Sequence, residues 1–254
     1  FGSRLAWFKT FCLLCCSQLK VEADMPSYKL VYFDVRGVAE TARFLFAASK
    51  TPYEDCRMSL TFGTPGDFST ISRPEFDAAK EAGELDISLG KLPYLEVDGV
   101  KIGQSKAIER FVASSTGLMG SSPVEAAQID MLTETVRDFK DAYQKVKRIE
   151  DKDAKEAAMA KWWAEDLPAL IATAEKSLVA AAPTAASPFL IGKSVSYADI
   201  VWYNFLGAPS GFFDNTEGAK AAFQSCPRIK AAIEATGELP EIKEWIANRK
   251  ETMM

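Results

Sequence analysis

Residues 91–105, with the sequence KLPYLEVDGVKIGQS, contain the stretch that decides the fold of this chain. The β-forming residues at 94–97 alternate in polarity and predict a strand. Asp98-Gly99 follows directly and is the strongest short-range signal for a two-residue hairpin turn. Residues 100–102 then return as a second strand, so this stretch is predicted to form a β-hairpin.

A helix is predicted to follow the hairpin, with Ser105 as its cap. The apolar residues behind this prediction are spaced for one helical face and are Ala107, Ile108, Phe111 and Val112. A helix that begins where a strand ends presents free N–H groups and a positive dipole end, which suits a carboxylate. Leu92-Pro93 is an X-Pro bond at a strand entrance. A cis bond there would free the Leu92 backbone to pair with an extended peptide.

The composition excludes several kinds of chemistry. The 254 residues contain no histidine, which rules out a Ser-His-Asp triad, a His general base and His-ligated zinc. The five cysteines have no regular spacing and fit reduced thiols better than a disulfide framework. The formal net charge of −5 argues against a nucleic-acid partner, because such binding needs a concentrated basic surface.

The chain before the hairpin predicts a β-α-β unit. Residues 28–33 (YKLVYF) are rich in β-formers and predict the first strand, and a turn at 34–37 leads into a helix over 39–50. Residues 53–60 predict a second strand, parallel to the first because of the crossover helix. Residues 61–90 are predicted to be a long loop with a short helix near 74–82. With the hairpin, the order becomes β-α-β-α-β-β-α, which is thioredoxin-like.

The rest of the chain is predicted to be helical. Residues 120–123 indicate a linker, and long helical patterns cover 124–149 and 152–182, the second with Pro168 as its kink. Ser196 and Asp199 have capping-box spacing. Three shorter helices are predicted near 218–224, 228–236 and 241–250. The predicted organisation is a thioredoxin-like domain at 25–116 and an all-α domain at 117–254.

Residues 1–24 are predicted to lie outside this fold. Their apolar run at 11–16 is too short to span a membrane. A truncated signal peptide is one interpretation. We favour a translated leader or remnant, with Met25 as the natural start.

The sequence LPYLEVDG, followed by Gln104-Ser105, resembles the glutathione-binding hairpin of cytosolic glutathione transferases. The resemblance extends from Met25 to the end of the chain. It implies an N-terminal thioredoxin-like α/β domain followed by an all-helical bundle, and an enzyme that conjugates the glutathione thiolate to small hydrophobic electrophiles. Glutathione would be the co-substrate, with no metal. The resemblance also implies detoxification, a cytoplasmic location, a homodimer, and no nucleic-acid or membrane partner.

Tyr32 is the catalytic residue that the resemblance implies, because it lies near the end of the first strand in YFDVRG. A positioned hydroxyl would stabilise the thiolate, the nucleophilic form of a thiol. The alternative is a tyrosine packed in the core. The implied glutathione-binding residues are Tyr32, Phe33, Phe76, Lys80, Lys91, Leu92, Pro93, Gln104, Ser105 and Asp138. Of these, Asp138 would reach the ligand across the dimer, and Phe76 stands where the family has a tryptophan.

The sequence leaves open both the class of transferase and the exact activity. The RGVAE context resembles the sigma class, whereas Val38 and the long loop before LPYL resemble the mu class. Val38 would line the electrophile pocket and make it more apolar than an arginine would. A glutathione-dependent isomerase of prostaglandin-type endoperoxides is one alternative. A crystallin-like structural or binding protein without turnover is another.

Overall fold

The computed structural model of the protein describes residues 26–64, 67–184, 187–209, 211–213 and 215–252. The predicted leader at 1–24 and the predicted start at Met25 lie outside the described residues.

The first half of the described chain mixes strands and helices. The strands are β1 (Tyr28–Phe33), β2 (Glu54–Met58), β3 (Thr61–Phe62), β4 (Ile71–Ser72), β5 (Tyr94–Val97) and β6 (Val100–Gly103). The helices are α1 (Glu40–Ala48), α2 (Pro74–Glu81) and α3 (Ser105–Ser115), with 3₁₀ turns at Gly37–Ala39, Phe68–Thr70 and Asp86–Ser88.

Four strands form one sheet in the order β2-β1-β5-β6. β1 pairs parallel with β2 and antiparallel with β5, and β5 pairs antiparallel with β6. Because side chains alternate along a strand, Leu30 and Tyr32 pack into the main core with α1 and α3, while Val31 packs on the other face with α2. The predicted thioredoxin-like arrangement is confirmed.

The hairpin has the predicted turn. Asp98 and Gly99 both have positive φ, 49° and 84°, as a type I′ turn requires. The Leu92-Pro93 peptide bond is cis. The prediction for Ser105 is wrong: Gln104 is the cap residue, and Ser105 is the first residue of α3. The Gln104 side chain makes no cap hydrogen bond, so only its backbone caps the start of α3.

The stretch at 61–90 is more ordered than predicted. β3 and β4 pair antiparallel within it, and α2 occupies the place of the predicted short helix. Pro74 begins α2, where its missing N–H costs no hydrogen bond.

The second half of the described chain is helical, and no strand occurs between 117 and 252 among the described residues. The helices are α4 (Pro123–Lys147), α5 (Lys152–Lys161), α6 (Leu167–Ala181), α7 (Tyr197–Trp202), α8 (Thr216–Ala222), α9 (Pro227–Glu238) and α10 (Pro240–Asn248). The pattern predicted over 152–182 forms one continuous helical run, in which a π-helical turn at Trp162–Asp166 joins α5 to α6. Pro168 lies in the first turn of α6, directly after the π-helical turn, and the kink at this residue stays a prediction. None of the described helices is long and apolar enough to cross a membrane.

One hydrophobic core joins the sheet to the helices, because the cluster that contains Leu30 of β1 extends to Ile242 of α10. The predicted capping box at the start of α7 is present. Asp199 is fully buried and accepts hydrogen bonds from the Ser196 N–H at 2.8 Å and the Ser196 hydroxyl at 2.6 Å. It also accepts from the Leu190 N–H at 2.8 Å, which ties the preceding loop to the helix.

Candidate active site

Tyr32 is the penultimate residue of β1, with its ring in the core and its hydroxyl against the turn that leads into α1. The side chain is 9% exposed. The Val38 N–H lies 3.5 Å from the Tyr32 hydroxyl oxygen. Burial raises the pKa of Tyr32 above its ordinary value, while the Val38 N–H lowers it. The hydroxyl therefore stays protonated at neutral pH and can donate a hydrogen bond.

Gly37 makes this approach possible. It has φ +43°, and a Cβ added to it would lie 2.6 Å from the Tyr32 hydroxyl oxygen. Any side chain at this position would displace the tyrosine. The geometry around Tyr32 therefore requires glycine at position 37.

Arg43 fixes the backbone just before that glycine. Its guanidinium is fully buried and donates to the Val35 carbonyl at 2.8 Å and the Arg36 carbonyl at 3.4 Å. Its Nε donates to Asp55 of β2 at 3.2 Å. The segment that faces the Tyr32 hydroxyl is thus held by a buried charge from α1.

Glu40 joins this segment to the C-terminal end of the described chain. Its Oε1 accepts from Trp245 Nε1 at 3.0 Å and from Arg249 at 2.8 Å, and its Oε2 accepts from Arg43 at 3.4 Å. Lys250 pairs with Asp34, just after β1. Asp34 and Glu40 lie on either side of the segment that faces Tyr32, which we call the Tyr32 turn. Both are therefore held by residues in and just after α10.

The start of α3 presents free N–H groups beside the hairpin. The Gln104 carbonyl accepts from the Ala107 N–H at 2.9 Å and the Ile108 N–H at 3.0 Å, so the N–H groups of Ser105 and Lys106 precede the first intrahelical bonds. Gln104 has φ 70°, a region that costs a residue with a side chain about 1 to 3 kcal/mol. Such an outlier indicates a functional constraint on this turn, and free N–H groups suit a carboxylate.

Leu92 lies at the entrance to β5 and outside the strand pairing, which begins with Val31 opposite Tyr94. Its side chain is half-buried and Pro93 is buried. Lys91 is exposed, and its carbonyl accepts from the Ser88 hydroxyl. The structure therefore places Lys91, Leu92 and Pro93 together ahead of the central sheet.

Phe76 and Lys80, the two predicted binding residues within 61–90, have different environments. Lys80 is exposed on α2, and its side chain passes Gly90. Phe76 is 5% exposed and packs against Phe33, with 5.2 Å between ring centroids. The phenylalanine thus fills the second core cluster and presents little surface to a ligand.

The two remaining predicted residues, Val38 and Asp138, are both exposed. Val38 is 53% exposed at the start of the α1 segment, although its backbone faces Tyr32. Asp138 is exposed on α4 in the single chain described here. Among the described residues, no group of three or more His, Cys, Asp or Glu side chains could hold a metal ion.

Sequence reasoning missed the buried charges behind Tyr32. Glu40 and Arg43 have helical spacing typical of a solvated ion pair, and Arg249 lies 209 residues from its partner. The Arg36-Gly37 turn was the one local signal, because glycine is favoured where φ is positive.

Two family models match the chain. One, described as "Glutathione S-transferase, N-terminal domain", covers residues 28–114, and the other, "Glutathione S-transferase, C-terminal domain", covers residues 137–249. Glutathione S-transferase 1 of Ascaris suum is 33% identical over 90% of this chain and 99% of that protein. Hematopoietic prostaglandin D synthase of Gallus gallus is also 33% identical, over 90% of this chain and 99% of that protein.

Solved structures agree with the fold. The crystal structure of the glutathione S-transferase from Ascaris lumbricoides has a TM-score of 0.66 and 30% identity, covering 89% of this chain and 99% of that one. Monomeric Na-GST-3 of Necator americanus has a TM-score of 0.68 and 29% identity, covering 90% of this chain and 100% of that one. The chain belongs to the glutathione S-transferase family and has both of its domains. Glutathione conjugation is the activity of this class.

Proposed function

We propose that Tyr32 donates a hydrogen bond to the sulfur of glutathione and holds it as the thiolate. The observation that carries this proposal is the Tyr32 hydroxyl itself, which is protonated, fixed at the end of β1 and approached by the Val38 N–H at 3.5 Å. The sulfur then forms a bond to an electrophilic carbon of a small hydrophobic substrate. The leaving group departs with its electron pair, or the π electrons of a conjugated alkene shift.

The peptide would be held around that sulfur by the hairpin and α3. Ser105 and the free N–H groups of α3 would bind the γ-glutamyl carboxylate, with Gln104 beside them. The Leu92 backbone would pair with the cysteinyl unit, next to Phe33 and Pro93. Lys80 and Lys91 are exposed cations suited to the glycyl carboxylate, and we assign no ligand contact to the buried Phe76.

Tyr32→Phe tests the catalytic role. Loss of a hydrogen bond to a charged group costs about 1.5 to 3 kcal/mol, which corresponds to a rate loss of about ten- to a hundredfold at neutral pH. The pH–rate profile should move alkaline, towards that of a free thiol, while glutathione affinity changes little. The measurement is kcat against pH, together with the ultraviolet absorbance of the bound thiolate.

Tyr28→Phe is the matched control, because it removes a hydroxyl from the other end of the same strand. It should leave the profile in place. A Tyr32→Phe enzyme with wild-type turnover and an unmoved profile would leave Tyr32 as a core residue only.

We also propose a homodimer in which Asp138 reaches the glutathione amino group of the other subunit. Asp138→Asn should then weaken glutathione binding by about 1.5 to 3 kcal/mol without unfolding the protein. Asp141→Asn, also exposed on α4, is the control and should not. The solved relative from Necator americanus is described as monomeric, so sedimentation belongs in the same experiment. A monomer that binds glutathione normally would contradict the proposal.

A second activity has support from the comparison with hematopoietic prostaglandin D synthase of Gallus gallus, at 33% identity. The same thiolate would open a prostaglandin-type endoperoxide and be released again, giving an isomer without bound glutathione. Chromatography of the products separates isomerisation from conjugation.

We further propose that the enzyme acts in detoxification and is located in the cytoplasm. We place the boundary between its two domains between residues 116 and 117.

A further inference from the structure

Lys140 on α4 places its ammonium group over two aromatic rings. Its Nζ lies 4.9 Å from the centroid of Phe212 and 5.7 Å from that of Phe205. Phe205 is buried and Phe212 is half-buried, so these two aromatic rings lie beneath the half-buried Lys140 side chain. Aromatic faces attract a cation, but they do not neutralise its charge.

Glu109, the carboxylate near Lys140, already pairs with other groups. Glu109 of α3 is buried and accepts from Lys106 Nζ at 2.9 Å and 2.7 Å, one bond to each oxygen. The Tyr197 hydroxyl donates to Glu109 as well, at 2.6 Å. In the part of the chain that the structure describes, Lys140 has no salt bridge or hydrogen bond of its own.

A cation partly withdrawn from water without an anion beside it is costly. Burial, followed by the nearby Lys106 ammonium, lowers the pKa of Lys140 to about 8, and Glu109 opposes this shift. At neutral pH, Lys140 is therefore still charged in more than half of the molecules. A methionine or leucine would cover the same rings without this cost, so the ammonium group indicates an anionic ligand.

The position of Lys140 connects it to the proposed electrophile site. Thr41 lies one turn after Val38 and accepts from Asn204 Nδ2 at 3.0 Å. The Asn204 carbonyl in turn accepts from the Phe212 N–H at 3.3 Å, and Phe205 is the next residue in the chain. The two aromatic residues under Lys140 thus belong to the part of the helical domain that bonds to α1 at Thr41, three residues after the exposed Val38.

We propose that Lys140 is a specificity-determining residue of the electrophile site, and that this site favours hydrophobic electrophiles bearing a carboxylate. The apolar body of such a substrate would lie on the phenylalanine rings, and its carboxylate would pair with the ammonium. This inference rests on the proposed function, because it places the second substrate next to Tyr32 and Val38.

A suitable probe is an aryl enone with a para-carboxylate, compared with the methyl ester of the same compound. The reaction is identical for both. The glutathione sulfur bonds to the β-carbon, the alkene electrons move to the carbonyl oxygen as an enolate, and the α-carbon takes a proton from water. Only the charge at the far end of the ring differs.

The experiment compares kcat/KM for the acid and for the ester in the wild-type enzyme and in Lys140→Met. We expect the wild type to favour the acid, and the acid-to-ester ratio to fall about tenfold in Lys140→Met. Lys140→Arg keeps the charge and should keep the preference. Lys176→Met removes an exposed lysine from α6 and should leave the ratio unchanged.

A wild-type enzyme that conjugates both compounds without preferring the acid overturns the inference while leaving the proposed function intact, even if Lys140→Met does not fold. Equal losses for acid and ester in Lys140→Met, with an unchanged ratio, assign Lys140 to folding or subunit packing and also overturn it. Failure of the wild type to conjugate either compound or 1-chloro-2,4-dinitrobenzene removes the proposed function, and this inference with it.

Discussion

At the scale of a single residue, Gly37 leaves the space that the Tyr32 hydroxyl occupies. Gly37→Ala would place a Cβ 2.6 Å from the Tyr32 hydroxyl oxygen and 2.9 Å from Tyr32 Cε1, so the ring must move. A misplacement on the order of 1 Å at a reacting group can cost about a hundredfold in rate. We expect kcat to fall by about ten- to a hundredfold, measured by steady-state conjugation.

Gly117→Ala separates this steric effect from backbone strain. Gly117 also has positive φ, +78°, but an added Cβ would have nothing within 4 Å. Both variants should lose about 1 to 2 kcal/mol of unfolding free energy, measured with denaturant, because alanine disfavours left-handed backbone. Gly37→Ala should lose more than this, because the buried Tyr32 ring must also move. Only Gly37→Ala should lose activity. Equal kcat values for the two variants would show that Gly37 does not position Tyr32.

Single residues were predictable where a local rule applied. Asp98-Gly99 was identified as a hairpin turn, and Ser196 with Asp199 as a capping box, because both depend on neighbours within three residues. Ser105 was predicted as a cap on the same kind of rule and was wrong. Gln104 adopts a positive φ that its side chain does not favour, and no local preference indicates such strain.

Asp199 gives α7 a pH-dependent stability at the scale of one element. Burial raises the pKa of Asp199 to about 6, although hydrogen bonds from Ser196 and Leu190 oppose this shift. The folded state therefore binds a proton more tightly than the unfolded state, whose pKa is about 3.9. The stabilisation from this proton is fully present below about pH 4 and is lost as pH rises through 6.

The measurement is the unfolding free energy against pH for the wild type and for Asp199→Asn, which cannot titrate. The difference between them should change between pH 4 and 6, with the wild type gaining stability relative to the variant as pH falls. Ser122→Ala removes an exposed cap of α4 and should cost about 1 kcal/mol at every pH. A flat difference for Asp199→Asn would contradict the raised pKa.

Elements were predictable where their periodicity is strong. β1 has the bounds that its β-forming run predicted, and α4 was predicted to within two residues at each end. The π turns at Trp162–Asp166 and Tyr203–Gly207 were missed, because a hydrogen bond shifted by one residue leaves the helical pattern nearly unchanged. The second π turn carries Asn204, which contacts α1, so the missed feature lies at the docking surface between the domains.

The whole molecule is joined by contacts that no local pattern indicates. Glu40 binds Trp245 and Arg249, which follow it by 205 and 209 residues. Only the folded chain brings these groups together, since the core that contains β1 also contains α10. The turn at 34–37 was therefore predictable from the local sequence, whereas the buried charges that hold it were not.

Arg249→Gln tests whether the C-terminal end of α10 supports the Tyr32 turn. The Arg249 side chain is 8% exposed, and its loss leaves the buried Glu40 carboxylate with Trp245 and Arg43. We expect a loss of about 2 kcal/mol of unfolding free energy, because a buried charged group loses one partner. We also expect a lower kcat at neutral pH, because Glu40 and Arg43 hold the backbone that faces Tyr32.

Lys243→Gln is the matched control, because Lys243 is an exposed cation on the same helix that pairs with the exposed Glu238. It should change stability by less than about 1 kcal/mol and leave kcat alone. Glu40→Gln combined with Arg249→Gln should recover part of the stability, because position 40 then carries no buried charge and Arg43 keeps its pair with Asp55. Denaturant unfolding and steady-state kinetics measure both effects. If Arg249→Gln and Lys243→Gln behave alike, the contact between Glu40 and the end of α10 supports neither the fold nor the turn that faces Tyr32.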